Sequence, residues 1–210
     1  ILEGFMYKNC IKRLLDTILS LLGIILLLPL LLSLAIVIKT TSPGPILFKQ
    51  KRVGKDNKHF YIYKFRSMRI DTPKDMPTHL LENPDQYITK VGKFMRKTSL
   101  DELPQLFNII KGEMAVIGPR PSLPNQYDLN KLRDENGAST VKPGLTGLAQ
   151  ISGRDELEID VKASLDGEYV KNMSFLLDCK CFVGTITSVL KHEGVVEGGT
   201  GELHKEEEAL

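Results

Sequence analysis

Asp101 and Glu102 are adjacent carboxylates at the start of an expected helix. A carboxylate in that position can serve as a nucleophile, and two neighbours can share a Mg²⁺ bridged to substrate phosphates. The positive end of the helix dipole should keep such a carboxylate ionised, and the free N–H groups there can also hold a phosphate. The same residues occur at helix starts with no catalysis at all, because acidic side chains cap those N–H groups.

Four cations sit near turns that could bring them to the pair. Arg120 lies between Pro119 and Pro121, so its backbone is stiff and its guanidinium can be aimed in advance. Bidentate phosphate recognition is the particular strength of arginine. Arg154 follows Ser152-Gly153, and Lys64 and Arg66 alternate with Tyr63 and Phe65 on an expected strand, which puts both on one face. Each of these taken singly is an ordinary solvated charge. There is no GxGxxG fingerprint and no P-loop, so nothing points to a dinucleotide or ATP site. Cys179 and Cys181 lack a second cysteine or histidine pair, and the histidines are scattered, which argues against zinc.

The elements around these residues are short. Ile46 to Val53 and Phe60 to Ser67 read as two strands around the turn Gly54 to Lys58. A polar, proline-bearing loop follows over 71–87. Lys90 to Lys97 reads as a helix with Val91, Phe94 and Met95 on one side and four basic residues, suited either to the core or to an anionic membrane surface. Ser99 with Glu102 fits a capping box, and Gly112 fits the end of that helix. Ala115 to Pro121 reads as a short strand and a rigid turn, and 122–137 as a polar helix. Val141 to Gly147 reads as a glycine-rich turn, and Glu156 to Val170 and Phe175 to His192 as two more helices.

What holds these elements to their workplace is the run from Thr17 to Ile38, which carries no charge. As a helix it would be about 33 Å long, enough for a hydrocarbon core. Pro29 interrupts it, and basic residues flank it on both sides: Lys8, Lys12 and Arg13 before, Lys39, Lys49, Lys51 and Arg52 after. A proline removes a helix hydrogen bond, and basic flanks belong on the cytoplasmic side. A helix broken at Pro29 that enters and leaves by one face satisfies both facts. A kinked spanning helix satisfies the length, and the residues alone lean towards it.

Composition sets wide bounds. The net charge of +2 says little about partners, and no nucleic acid is expected. Three cysteines without framework spacing fit a reducing compartment. Residues 1–5 precede Met6 and read as foreign to the fold. The expected organisation is a membrane segment over 6–40, a cytoplasmic body over 41–198 and an acidic, disordered tail over 199–210.

The chain resembles the bacterial sugar transferases, the monotopic phosphoglycosyl transferases that act on undecaprenyl phosphate. The stretches that carry the resemblance run in the family's order from 8 to 195. They include Lys12-Arg-Leu-Leu-Asp16, Ser42-Pro-Gly-Pro45, Phe48-Lys-Gln-Lys-Arg-Val-Gly54 and Tyr63-Lys-Phe-Arg-Ser-Met68. Beyond these come Ser99-Leu-Asp-Glu-Leu-Pro-Gln-Leu106, Ile117-Gly-Pro-Arg-Pro121, Lys142-Pro-Gly-Leu-Thr-Gly147 and Gly153-Arg154. The resemblance implies an α+β fold, with a re-entrant membrane helix broken at Pro29. A small, mostly helical catalytic domain would follow on the cytoplasmic face of the inner membrane, with a short β-hairpin and membrane-surface helices.

It further implies that Asp101 attacks the sugar-bearing phosphate of a UDP-sugar, UMP leaves, and polyprenyl phosphate collects the phosphosugar. Glu102 would help hold Mg²⁺ or act as a base. Arg120 and Arg154 would grip phosphate or nucleotide, with Lys64, Arg66 and Arg96 beside them. UDP-sugar, polyprenyl phosphate and inner-membrane phospholipids are the expected partners, and a homodimer is compatible. Leu28 stands where relatives often have Ser before the proline, and Leu148 where a Trp is familiar. Asp155 to Ile159 differs from some relatives in a region that bears on sugar choice. A membrane-anchored phosphohydrolase working through an aspartyl phosphate is the alternative enzyme, and a non-catalytic membrane scaffold is the alternative outside enzymology.

Overall fold

The computed structural model describes residues 6–72, 84–153 and 157–191. A π-helical turn, Tyr7–Ile11, leads into α1, Lys12–Thr41. Pro29 lies inside α1, and the helix runs through it without interruption. Ser33 Oγ donates to the Pro29 carbonyl at 2.8 Å. The break expected at Pro29 is therefore not an interruption of the helix.

The hairpin expected after the helix is present as β1, Leu47–Val53, and β2, His59–Phe65, antiparallel with Leu47 opposite Phe65 and Val53 opposite His59. Next come α2, Lys90–Lys97, and α3, Gln105–Lys111, then β3, Ala115–Ile117, and α4, Tyr127–Asn136. The glycine-rich stretch expected as a turn instead contains β4, Gly144–Thr146, which pairs in parallel with β3. The reason is close approach. A Cβ on Gly144 would come within 2.1 Å of the Gly118 nitrogen, so only glycine lets the two backbones meet. The chain continues with α5, Leu148–Ile151, α6, Ile159–Asn172, and α7, Phe175–Lys191. The expected loop over 71–87 lies mostly outside the described residues, as does the expected tail over 199–210.

Helix α1 rests on the body along its whole length. Lys12, Asp16, Ser20, Leu31, Leu34 and Ile38 recur at helical spacing and are all buried. Its first half meets α3 and β3: Asp16 Oδ1 accepts from the Val116 N–H at 2.9 Å, and a Cβ on Gly23 would lie 3.4 Å from Leu106 Cδ1. Its second half meets the hairpin and α2, where Leu31, Leu34 and Ile38 pack with Phe65 and Met95. The opposite face exposes Leu14, Ile18, Leu22, Ile25, Leu32 and Ile36.

A buried polar junction fixes the start of α1. Asp178 of α7 accepts from Lys12 Nζ at 2.7 Å, from the Tyr7 hydroxyl at 2.5 Å and from the Tyr169 hydroxyl at 2.7 Å. Lys12 and Asp178 are both buried, so removing either partner strands a charge. Lys12→Met should cost about 3 kcal/mol or more, and Tyr7→Phe about 1 kcal/mol. Thermal unfolding in detergent checks this; a midpoint unchanged in Lys12→Met would show that the junction does not hold the helix.

Candidate active site

Asp101 and Glu102 sit in a single 3₁₀ turn, Leu100–Glu102, ahead of α3. The capping box is not formed: Ser99 is left-handed, at φ 55°, and its side chain caps nothing. Pro104 leads into α3, and Gly112 closes it in the left-handed conformation that was expected. The carboxylates thus stand one turn before the helix rather than on its first residues. The dipole does not set their ionisation; burial and neighbouring cations do.

Glu102 joins three segments. Its Oε1 accepts from Lys64 Nζ at 2.7 Å and from Arg120 Nη2 at 2.7 Å, and its Oε2 accepts from Arg120 Nη1 at 3.3 Å. Lys64 reaches it from β2, and Arg120 from the turn after β3. Burial alone would raise the Glu102 pKa, but Arg120 and Lys64 outweigh it and hold the carboxyl well below its usual range. Asp101 behaves oppositely. It is only 7% exposed, and none of the described residues donates a hydrogen bond to its carboxylate. Burial first, and the negative charge of Glu102 as well, push it up to about 6, although Lys64, Arg96 and Arg120 pull the other way. One dyad therefore holds a firmly ionised member and a member poised near neutral pH.

The cations named from the sequence divide. Lys64, Arg96 and Arg120 surround the dyad. Arg66 does not join them: it follows the last residue of β2, and its guanidinium donates to the carbonyls of Ser42 and Pro43. It anchors the turn that ends α1. Arg154 lies outside the described residues. A fourth cation near the site was not named: Arg52 of β1, whose charge is felt by both Arg120 and Glu102. Strand alternation offered the signal, since the register puts Arg52 opposite Phe60, on the same hairpin face as Lys64.

Among the described residues there is no group of three or more His, Cys, Asp or Glu side chains that could cage a metal. Mg²⁺ needs less: one or two carboxylates, with substrate phosphates and water completing the shell. Adjacent Asp101 and Glu102 fit that kind of site. Lys64, Arg96 and Arg120 against these two carboxylates leave one surplus positive charge.

An apolar helix long enough to cross a membrane, laid along a small α+β body with a cationic dyad site, is the architecture here. The chain belongs to the bacterial sugar transferase family, whose model matches residues 7–192. It is 43% identical over 182 residues to the UDP-glucose:undecaprenyl-phosphate glucose-1-phosphate transferase of Klebsiella pneumoniae, covering 83% of this chain and 39% of that protein. It is 39% identical over 186 residues to the UDP-N-acetylgalactosamine-undecaprenyl-phosphate N-acetylgalactosaminephosphotransferase of Aeromonas hydrophila (86% of this chain, 44% of that one). It is 36% identical over 198 residues to the undecaprenyl-phosphate galactose phosphotransferase of Salmonella typhimurium (88% and 41%). The chain spans about two-fifths of the length of these relatives. Their names carry three different sugars.

The raised pKa of Asp101 has a consequence for stability. The folded value of about 6 lies above the ordinary 3.8, so the fold favours the protonated acid. Ionisation of Asp101 therefore costs stability, and the cost grows as pH rises from about 4 through about 6. Asp101→Asn should be more stable than wild type at pH 8 by on the order of 2 kcal/mol, with the gain shrinking towards pH 4. Melting curves across that range check it; a variant less stable at every pH would contradict the assignment.

Proposed function

We propose that this protein transfers a sugar 1-phosphate from a UDP-sugar to undecaprenyl phosphate, releasing UMP, with Asp101 as covalent nucleophile. The observation that carries the reading is the asymmetric dyad: a buried Asp101 that accepts no hydrogen bond from the described residues, beside a clamped Glu102, with Lys64, Arg96 and Arg120 around them. The names of the relatives support the substrate classes.

The chemistry takes two steps. An Asp101 carboxylate oxygen attacks the sugar-bearing phosphorus; the phosphorus–oxygen bond to UMP breaks, and its electron pair leaves with UMP. The product is an acyl phosphate between Asp101 and the sugar phosphate. A phosphate oxygen of the lipid then attacks the same phosphorus and expels the Asp101 carboxylate. Arg120 and Lys64 are the donors that can turn from Glu102 to the diphosphate, and Arg96 adds charge beside Asp101. Asp101 and Glu102 would hold Mg²⁺, which supplies charge neutralisation at the leaving phosphate. Arg154 is proposed as a further phosphate or nucleotide ligand from its motif alone.

The proposed setting is the cytoplasmic face of the inner membrane, with α1 re-entrant and bent at Pro29. Both halves of α1 pack on the same body, which a helix crossing to the far side would not do. Phe94 of α2 is exposed beside Lys90, Lys93 and Lys97, and α7 exposes Phe175, Leu176, Phe182, Val183 and Ile186 on one face. These faces suit the phospholipid interface. A lipid phosphate at that interface meets the site with no crossing. The first membrane step of glycan assembly is the role such an activity would serve.

Transfer is checked with radiolabelled UDP-sugars and undecaprenyl phosphate in detergent. Label should move to the organic phase with one UMP released per lipid product, stop with EDTA and return with Mg²⁺. Free sugar phosphate in water, without lipid product, would select the phosphohydrolase instead. Topology is checked with cysteines placed at Lys8 and Ser42 in a background lacking the native cysteines. Both should resist a membrane-impermeant thiol reagent applied outside intact cells; labelling at position 8 alone would establish a spanning helix.

A further inference from the structure

Arg120 holds Glu102 from a turn, and turns hold a side chain only as firmly as their own backbone is held. Two other guanidiniums grip this one. Arg133 of α4 donates through Nη1 to the carbonyl of Arg120 itself at 2.9 Å. Its remaining nitrogens, Nε and Nη2, donate to Asp166 Oδ2 of α6 at 2.9 and 2.6 Å. Arg133 and Asp166 are both buried, 6% and 1% exposed. On the other side, Arg52 of β1 donates through Nη1 to the carbonyl of Pro121 at 3.0 Å, and through Nη2 to Gln50 Oε1 at 2.6 Å. Its Nε is buried without a partner.

Neither grip is the cheapest way to build a loop. A buried ion pair such as Arg133–Asp166 is weak evidence of stability, because an apolar pair of similar volume often does as well. An arginine sunk against carbonyls with one donor unmet gives up solvation for little gain. Both side chains end on consecutive carbonyls, those of Arg120 and Pro121. A cavity of about 20 Å³ beside the turn is lined by Val53, Arg120, Pro121 and Arg133 among others. That is room for one water and far too little for a nucleotide, so Arg133 acts on the turn from the protein side.

We infer that Arg52 and Arg133, the latter braced by Asp166, are positioning residues that hold the Pro119-Arg120-Pro121 turn so that the Arg120 guanidinium stays aimed at Glu102 and the substrate diphosphate. The inference rests on the proposed transferase reading. It assigns these residues an effect that passes through Arg120 and through no other group. Displacing a phosphate-binding guanidinium by about 1 Å can cost on the order of a hundredfold in rate.

A double-mutant cycle on UMP release separates positioning from general support of the fold. Arg52→Met should lower kcat/KM tenfold or more in the wild-type background and by less than twofold in an Arg120→Ala background. Its effect on the melting midpoint should be the same in both. Arg133→Met combined with Asp166→Leu, which leaves no stranded charge, should repeat the pattern. Equilibrium binding of labelled UDP gives the same comparison without turnover, and Arg52→Lys, which keeps a donor for the Pro121 carbonyl, should recover part of the loss. Equal losses in both backgrounds, by turnover and by UDP binding, would overturn the inference. Failure of the wild-type protein itself to release UMP would overturn the transferase reading instead.

Discussion

Glu102 is one carboxylate shared by two cations, Lys64 and Arg120, and the site depends on that sharing. It ties the hairpin, the 3₁₀ turn and the turn after β3, segments with no sequence proximity, into one place. It also sets the charge of its neighbour. With Glu102 held ionised, Asp101 is a second negative charge in a buried spot, and burial together with that charge pushes it to about 6. The cations that restrain the rise are the same ones that satisfy Glu102. The dyad is thus an electrostatic compromise: one carboxylate anchors the positive charges, and the other is left free of hydrogen bonds among the described residues.

Helix α1 belongs to the same construction. The buried face of α1 is polar at its start, through Lys12, Asp16 and Ser20, and apolar further on. The polar part reaches Asp178 and the strand β3; the apolar part reaches Phe65, at the end of the strand that carries Lys64. Arg66, one residue further on, ties that strand end to the carbonyls that follow α1. The helix and the site therefore share a frame. For the proposed transferase, a body that lies along α1 keeps the dyad at a fixed distance from the exposed apolar face of that helix.

Much of this was legible in the sequence where a single local rule governs. The hairpin follows from alternation around Gly54 to Lys58, α2 from its amphipathic spacing, the end of α3 from Gly112. The dyad and Arg120 stand out only through the family resemblance, since taken singly they read as a helix cap and a solvated charge. Other features were hidden because they depend on distant backbone. Strand β4 exists only because Gly118 and Gly144 meet, and Arg66 turned away because the carbonyls of Ser42 and Pro43 were waiting for it. The expected effect of the helix dipole on Asp101 gave way to burial, since the dyad stands one turn before α3. Arg52 reads from the sequence as a basic flank of the apolar run and nothing singles out Arg133, because only the folded chain brings them against the Arg120 turn.

The central claim is that Asp101 becomes covalently attached to the phosphosugar before the lipid arrives. Intact-mass spectrometry of the protein mixed with a UDP-sugar and Mg²⁺, with undecaprenyl phosphate left out, tests it most directly. The account predicts protein heavier by one phosphosugar, one equivalent of UMP released in a burst, and the added mass on the peptide that contains Asp101. No adduct, with UMP released only when the lipid is present, would contradict it and assign the attack to the lipid phosphate itself.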